Sequence, residues 1–426
     1  MMLFSLLALV PLSIKAPREF YDYLAKPDPA YSTTVIATPA ETKIEMLSQV
    51  WQGIPWKHTI LYRQPKNTKK NGIAILYITG DGPRPADLLE LSLVVGATGM
   101  PVAELFNVPN QPMWDMKEDD LIAHTFEKYL ETDDATWPLL FPMAKSAIRA
   151  MDAVEEATKG SDNPITKFVV TGASKRGWTT WFVGAAKDKR VLGIAPLVID
   201  NLNIPAQMPH QIKEWGKYSE QIEEYTRRGL QAKLLTPKGR HLTEMIDPYF
   251  YRDEIKIPTL IVTGANDPYW TVDAMSKYWG DLRMPHWASI VPNAGHDMGN
   301  KVQAIEAVGA FAHSLAGDFK MPKVTWDLKE TGESSPTQRV FTLAARSDQS
   351  ITQMRILANR SETTDFRLGK WEPLAEVKMD GASGPTAPVI KFLVPKGQNV
   401  ALLAEARFKL ADRSFTLSRP VTVFKR

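Results

Sequence analysis

Lys167-Phe-Val-Val-Thr-Gly-Ala-Ser-Lys-Arg-Gly-Trp178 joins an apolar strand to a helix-forming run. Two small residues precede Ser174, so the backbone can fold sharply there and expose the hydroxyl above the end of a sheet. This layout predicts a nucleophile elbow, in which a serine occupies a strained turn between strand and helix. It is a variant of Gly-x-Ser-x-Gly, because Arg176 occupies the second glycine position and Gly177 follows it. The alternative is a serine that only caps the helix.

Two later strand ends carry groups that could activate this serine. The apolar segment 258–264 is followed by Asp267, and the segment 288–292 is followed by His296. A serine hydroxyl becomes a good nucleophile when an imidazole accepts its proton, and a carboxylate fixes the tautomer of that imidazole. The chain order Ser174, Asp267, His296 is the order of α/β-hydrolases.

The acid has a second candidate. Asp200 ends the predicted strand 193–200, a position that some hydrolases use for the acid, and Asp267-Pro268 could be ordinary turn chemistry. We expect Asp267 to be the acid and keep Asp200 as the alternative acid. The remaining histidines have no matching strand end, so we expect structural or surface roles for them: His58, His124, His210, His241, His286 and His313.

A glycine-containing turn follows the predicted strand 71–79 and is the candidate oxyanion hole. Gly80, Asp81 and Gly82 form this turn, in which two glycines let backbone amides approach a ligand closely. The amide of Lys175 would be the second donor. The alternative is a plain glycine-rich turn without a catalytic role.

Several segments resemble a known family. The most specific is Gly172-Ala-Ser-Lys-Arg-Gly-Trp-Thr-Thr-Trp181, accompanied by Met143-Ala-Lys-Ser-Ala-Ile-Arg-Ala-Met-Asp152 and Asp247-Pro-Tyr-Phe-Tyr-Arg252. In these the chain resembles the PhoPQ-activated pathogenicity-related proteins, which include the autocrine proliferation repressor proteins. The resemblance implies an α/β-hydrolase core, a β-rich C-terminal domain and a nucleophile at Ser174. It implies no particular reaction, since the family name records regulation and phenotype. Further matching segments are 24–31, 102–105, 108–112, 136–139, 198–203 and 291–294.

Two cations follow the predicted nucleophile. Lys175 and Arg176 could stabilise an oxyanion or bind an anionic substrate. Their spacing is similar to the Gly-x-Ser-basic-x-Gly arrangement of glucuronoyl esterases, which implies an ester of a sugar acid or another carboxylate-bearing ester. The alternative for Arg176 is a buried structural ion pair, with Asp152 or Asp200 as its partner. For Lys175 both interpretations stay open.

Composition is that of a folded, soluble, two-domain chain. The 426 residues are too many for one ordinary core, and 44% hydrophobic with 23% charged residues is typical of globular proteins. A net charge of +3 without a basic tract argues against nucleic-acid binding. The absence of cysteine excludes disulfides and thiolate catalysis. We expect no cofactor and no metal, and no pattern specifies an oligomeric state.

Four segments make up the predicted organisation. Residues 1–16 form an apolar run of signal-peptide length, which predicts a bacterial protein that is periplasmic or secreted; the alternative is an uncleaved apolar N-terminus. Beyond it no run has the length of a stable membrane span.

Residues 17–318 alternate strands and helices, as in a doubly wound, mostly parallel sheet. Within them, 203–250 is a helical insertion, either a cap or lid or a solvated hairpin. Residues 319–426 predict a C-terminal antiparallel β-sandwich-like domain.

These features favour a serine hydrolase that cleaves an ester or amide through an acyl-enzyme, and we expect an esterase. Its substrate would be a small molecule or a carbohydrate- or peptide-derived ester. The alternative is an exported binding or signalling protein on a hydrolase scaffold without catalysis. A pure binding module has no need of a serine, a histidine, an acid and an oxyanion turn together, which favours the enzyme.

Overall fold

The computed structural model describes residues 15–38, 41–379 and 388–426. The predicted signal peptide therefore lies outside the described residues, except for its last two positions. Among the helices that are described, none is both long and apolar enough to cross a membrane. In this part of the chain the α-helices are α1 (Arg18–Ala25), α2 (Pro85–Thr98), α3 (Glu118–Thr132), α4 (Leu140–Thr158), α5 (Lys175–Ala185), α6 (Ile204–Trp215), α7 (Glu223–Thr226), α8 (Leu230–Lys233), α9 (Pro237–Ile246) and α10 (Val302–Leu315).

The strands form one large and one small sheet. The large sheet has the order β1-β2-β3-β5-β4-β6-β7-β8-β9-β16-β15-β12-β13, and the small one has the order β10-β11-β14. Their bounds are β1 (Ser32–Ala37), β2 (Thr42–Trp51), β3 (Ile54–Arg63), β4 (Ile73–Ile78), β5 (Val102–Leu105), β6 (Lys167–Ala173), β7 (Val191–Leu197), β8 (Thr259–Gly264), β9 (His286–Val291), β10 (Val324–Glu330), β11 (Gln338–Ser347), β12 (Ile351–Ser361), β13 (Glu372–Lys378), β14 (Val389–Pro395), β15 (Asn399–Leu410) and β16 (Arg413–Phe424).

The centre of the large sheet is parallel. Strands β4 to β9 run in one direction, whereas β1, β2 and β3 form an antiparallel meander at one side. Helices α4 and α5 contribute to the core on one face, and α2 and α10 contribute to the core on the other. The predicted doubly wound, mostly parallel sheet is confirmed. Because parallel strands end at one edge, the segments after β6, β8 and β9 converge there.

The C-terminal region is β-rich, as predicted, but it continues the central sheet. Ser418 of β16 pairs with Ala288 of β9, and the amide of Ile290 donates to the Ser418 hydroxyl over 2.9 Å. Strands β12, β13, β15 and β16 thus extend the large sheet, and the small sheet packs into the same core cluster as their apolar side chains. The predicted boundary at 318/319 falls between α10 and β10. The sequence pattern missed β10 and β13, none of whose residues is buried, so that both strands lack a buried apolar stripe.

The predicted insertion is helical and covers the edge where the parallel strands end. Helices α6 to α9 make up this segment, called the cap below. It is fastened to α3 by ion pairs, among them Arg228 to Asp120 at 2.7 Å and Lys233 to Glu127 at 2.8 Å. These contacts argue against the alternative of a free solvated hairpin.

The cap is also held by the C-terminal region. Lys425 pairs with Glu214 at 2.6 Å, and Arg367 pairs with Glu220 at 3.0 Å while its guanidinium stacks 4.0 Å from the ring of Trp215. The cap is therefore fixed from two sides, by α3 and by the C-terminal strands.

Helix α5 packs so closely on β7 that Gly177 has no room for a side chain. A Cβ at this position would lie 2.7 Å from the Leu197 carbonyl oxygen and 2.7 Å from Cγ2 of Ile199. We expect Gly177→Ala to lower the free energy of unfolding by about 1–3 kcal/mol because the helix must shift. The control is Gly96→Ala in α2, where nothing lies within 4 Å of the added Cβ; it should gain up to about 1 kcal/mol. Denaturant unfolding measures both, and equal stabilities for the two variants would contradict the packing argument.

Candidate active site

Ser174 lies on a strained turn between β6 and α5. Its backbone has φ 58° and ψ −124°, a conformation that costs a non-glycine residue on the order of 1–3 kcal/mol. The turn is held by a hydrogen bond from the Ser174 amide to the Leu197 carbonyl (2.8 Å). The Ser174 side chain makes no capping hydrogen bond to α5. The alternative of a serine that only caps the helix is therefore wrong.

The small residue before the elbow has a steric reason. A Cβ on Gly172 would lie 2.8 Å from the Arg176 carbonyl oxygen. The first turn of α5 thus folds back onto the end of β6, which requires glycine at 172. Gly177, one residue after the usual position of the second glycine, faces β7 and makes the close contact there. The elbow can therefore carry an arginine at position 176.

Asp267 and His296 meet at the edge where β8 and β9 end. His296 Nδ1 lies 2.9 Å from Asp267 Oδ2, and Asp267 Oδ1 accepts from the Tyr269 amide over 3.0 Å. The Tyr269 ring packs against the imidazole with centroids 4.2 Å apart. His296 Nε2 is buried and has no hydrogen-bond partner in the described structure. The same cavity is lined by His296 and Ser174. The arrangement leaves Nε2 available to accept a proton inside that cavity.

The other candidate acid, Asp200, is engaged elsewhere. It is buried three residues beyond the end of β7 and accepts a hydrogen bond from the Tyr278 hydroxyl over 2.6 Å. Burial raises the pKa of Asp200 to about 7, although the Tyr278 hydrogen bond opposes the shift. Of the two carboxyl groups, Asp267 is the one hydrogen-bonded to His296.

Arg176 forms a buried structural ion pair, but its predicted partners are wrong. Its two terminal nitrogens donate to the two carboxylate oxygens of Glu118, each over 2.7 Å, and Nε donates to the Val108 carbonyl over 2.6 Å. Asp152 instead pairs with other arginines, and Asp200 bonds to a tyrosine hydroxyl. The sequence could not identify Glu118, because the start of α3, which carries it, reaches the elbow only through the fold.

Lys175 is paired as well. Its Nζ lies 2.7 Å from Asp119 and 3.2 Å from Glu118. Burial disfavours the charged form of Glu118, but hydrogen bonds and charges of Arg176 and Lys175 outweigh it and lower the pKa of this carboxyl to about 2. Asp119 also accepts from the Tyr225 hydroxyl of the cap over 2.9 Å. Two cations therefore face two carboxylates beside the serine.

The predicted oxyanion turn lies next to Arg176. A Cβ on Gly80 would be 2.6 Å from the terminal nitrogen of the arginine, so glycine makes room for the guanidinium. Asp81 pairs with Lys117 at 2.8 Å. The residues that line the cavity of Ser174 do not include Gly80, Asp81 or Gly82. Their role in an oxyanion hole stays a prediction.

The cavity has a volume of about 730 Å³ and lies between the elbow and the cap. The sequence did not identify Asp119, Asn201, Tyr225 or Trp270 as part of it. Only Asn201 gave a signal, since it directly follows a strand end at the edge that carries the site. The lining residues are Asp119, Phe126, Ser174, Lys175, Trp178, Val198, Ile199, Asn201, Ile204, Met208, Ile222, Tyr225, Leu230, Gln231, Leu234, Ile246, Tyr269, Trp270 and His296.

The loops of Asp267 and His296 are braced by the C-terminal region. The Asn266 side-chain amide donates to the carbonyls of Arg367 and Gly369 over 3.0 and 2.7 Å. Asn293 and Trp371 exchange two hydrogen bonds of 2.9 and 2.7 Å. The segment 366–371 thus fixes both loops that converge on the imidazole.

The parallel sheet, the strained serine after β6 and the aspartate and histidine after β8 and β9 define an α/β-hydrolase scaffold. A sequence profile of the PhoPQ-activated pathogenicity-related proteins matches residues 20–367, and the chain belongs to this family. It is 31% identical over 349 residues to autocrine proliferation repressor protein A of Dictyostelium discoideum, covering 76% of this chain and 70% of that protein.

Solved structures with a similar backbone are esterases and hydrolases of low identity. Acetyl xylan esterase 1 from Thermoanaerobacterium sp. JW/SL YS485 is 15% identical, with 70% of this chain and 95% of that chain covered and a TM-score of 0.48. An S-formylglutathione hydrolase from Agrobacterium tumefaciens is 11% identical, with 67% and 98% covered and a TM-score of 0.43.

The buried carboxyl of Asp200 predicts a pH-dependent stability difference. Its pKa rises from 3.8 to about 7 on folding, so the ionised form opposes folding. That penalty is absent below pH 3.8, grows as the pH rises from 3.8 to about 7 and is complete above about 7. Relative to Asp200→Asn, the wild type should lose on the order of 2 kcal/mol of unfolding free energy between pH 5 and pH 8. Denaturant titrations at the two pH values measure this difference, and parallel behaviour of both proteins would contradict it.

Proposed function

We propose that this protein is a serine hydrolase that cleaves an ester, or an amide, through an acyl-enzyme. Ser174 is the nucleophile, His296 the general base and Asp267 the acid that orients the imidazole. The observation that supports the proposal most is the His296 Nδ1 contact of 2.9 Å with Asp267, which leaves a buried Nε2 without a partner in the cavity that Ser174 lines. A hydrogen-bonded Nδ1 fixes the tautomer whose Nε2 accepts a proton.

The reaction follows from these roles. The Ser174 oxygen attacks the carbonyl carbon while His296 Nε2 takes the hydroxyl proton, and the carbonyl oxygen becomes an oxyanion. Collapse of this intermediate breaks the bond to the leaving group, which receives the proton from His296. Water then repeats the sequence on the acyl-enzyme and releases the acid.

The oxyanion would be bound at the start of α5. The Lys175 amide belongs to the first residue of this helix, where N–H groups lack intrahelical acceptors and the helix dipole is positive. We assign the second donor to the turn of Gly80, Asp81 and Gly82, as expected from the sequence. Donors of this kind act on charge that develops in the transition state.

The charge of the site favours an uncharged group at the reacting bond. A carboxylate-bearing ester, expected from Lys175 and Arg176, would have to compete with Glu118 and Asp119 for these cations. Displacing Asp119, whose side chain is only 14% exposed, would leave a largely buried carboxylate without its cationic partner, which opposes such binding. A neutral ester needs no such exchange. Export to the periplasm or the medium is proposed on the apolar residues 1–16 alone.

Covalent labelling tests the nucleophile. We expect a fluorophosphonate probe to modify Ser174 in the wild type, because the probe reacts with activated serines. His296→Ala should lose the label, since the hydroxyl then has no base. Peptide mapping by mass spectrometry locates the modified residue. A folded wild-type protein that stays unlabelled at Ser174 would overturn the enzyme and favour the alternative, a binding or signalling protein on a hydrolase scaffold.

Two amide substitutions test the acid. With 4-nitrophenyl acetate as substrate, Asp267→Asn should lower kcat by about three to four orders of magnitude, because the imidazole loses its orienting carboxylate. Asp200→Asn should have a far smaller effect, since its carboxyl bonds to Tyr278 and not to His296. The reverse ranking of the two variants would move the acid to Asp200.

A further inference from the structure

The cavity beside Ser174 is enclosed largely by apolar side chains of the cap. The space between its lining residues is about 730 Å³, part of which is open to solvent. The cap supplies most of the aliphatic side chains, and Phe126, Trp178 and Trp270 from outside the cap supply aromatic rings. The apolar lining residues are Phe126, Trp178, Val198, Ile199, Ile204, Met208, Ile222, Leu230, Leu234, Ile246 and Trp270.

The polar side chains of the wall are mostly bonded to other protein groups. Lys175 and Tyr225 both bind Asp119, and the indole N–H of Trp178 donates to the Ile246 carbonyl over 2.7 Å. Lys175 and the Trp178 indole thus already donate to protein acceptors, and Asp119 and Glu118 balance the charge of Lys175. The wall therefore suits a ligand group that is uncharged and mainly apolar.

Besides His296 Nε2, two buried polar atoms of the described lining residues have no partner. Asn201 is 1% exposed, and its side-chain oxygen makes no hydrogen bond in the described structure. The indole nitrogen of Trp270, which lines this cavity and a neighbouring one, is likewise buried and unpaired. Buried polar groups are nearly always hydrogen-bonded, so the Asn201 oxygen is available to accept a hydrogen bond from a ligand group. A hydroxyl both donates and accepts, and it would satisfy either side-chain atom of the Asn201 amide.

The acyl side of the substrate is the side that fits this enclosure. In the proposed reaction the alcohol leaves first, whereas the acyl group stays bonded to Ser174 until water attacks. An acyl group that stays under the cap during acylation and deacylation does not have to leave the cavity between these two steps. The alcohol, by contrast, must reach solvent after the first step.

We propose that the site selects esters with an uncharged, mainly apolar acyl group that bears one hydroxyl for Asn201. This inference rests on the proposed hydrolase function and names the substrate class of the same site. The aromatic rings of Trp178 and Trp270 favour an aromatic acyl group, since aromatic pairs gain energy beyond the buried area.

The first experiment compares esters with one leaving group. The wild type is assayed with a series of 4-nitrophenyl esters. These are the acetate, the 3-phenylpropanoate, the three 3-phenylpropanoates with one ring hydroxyl, and the hemisuccinate. We expect kcat/KM for the phenylpropanoate to exceed that for acetate by about tenfold or more, and one hydroxylated isomer to exceed the phenylpropanoate by about threefold to tenfold. The hemisuccinate should be the poorest substrate. Equal kcat/KM for all esters, or the highest kcat/KM for the hemisuccinate, would overturn the inference. Turnover of the acetate would in that case still support the hydrolase.

Two neighbouring cap positions give a matched pair of variants. Leu234 lines the cavity, whereas Leu235 is 74% exposed. Leu234→Trp should lower kcat/KM for the phenylpropanoate at least tenfold more than for acetate, because the indole fills the space of the acyl group. Leu235→Trp should leave both values unchanged. Asn201→Leu should abolish the preference for the hydroxylated isomer and leave the preference for phenylpropanoate over acetate.

A binding measurement separates the inference from catalysis. In Ser174→Ala, which cannot form an acyl-enzyme, neutral 3-phenylpropanamide should quench tryptophan fluorescence, because Trp178 and Trp270 line the cavity. The added Leu234→Trp change should weaken this binding about tenfold. Absence of binding would overturn the acyl pocket even if Ser174 reacts with the fluorophosphonate. Binding without labelling of the wild-type serine would overturn the proposed hydrolase and retain the pocket.

Discussion

The buried guanidinium of Arg176 is the interaction on which the geometry around Ser174 depends. It joins the first turn of α5 to the Val108 carbonyl and, through both terminal nitrogens, to the Glu118 carboxylate at the start of α3. It also fills the space that Gly80 leaves open. Three chain segments that are distant in sequence are thereby fixed relative to the elbow. Planar, bidentate pairing of this kind restricts orientation as well as distance, which a lysine could not do.

Charge near the serine is balanced by the protein itself. Lys175 and Arg176 are matched by Asp119 and Glu118, and Asp119 extends the network to the cap through Tyr225. The remaining wall is apolar, so ligand selection depends on shape and on a few unpaired polar atoms. The same bonds connect the cap to the elbow through Asp119 of α3. A change in the position of the cap would therefore alter the contacts of Lys175, the residue that follows the nucleophile.

The parallel sheet, the elbow and the pairing of Asp267 with His296 were predictable, because each depends on local sequence at a strand end. The partner of Arg176 was not, since Glu118 reaches it only through the folded connection after β5. The cavity wall was also beyond sequence reasoning: apolar residues of the cap look like ordinary helix core until the fold shows that they face the serine. Strands β10 and β13 were missed because exposed strands lack the alternation that identifies a buried face.

The bracing of two loops by the segment 366–371 determines when the site can form during synthesis. Asn266 precedes its acceptor Gly369 by 103 residues, and Asn293 precedes Trp371 by 78. A ribosome that has just released the histidine loop has not yet made the segment that holds it. The sheet can assemble vectorially from its N-terminal strands, but the aspartate and histidine loops must wait for the C-terminal strands. The nascent chain therefore stays without an ordered site until the region after residue 371 has emerged.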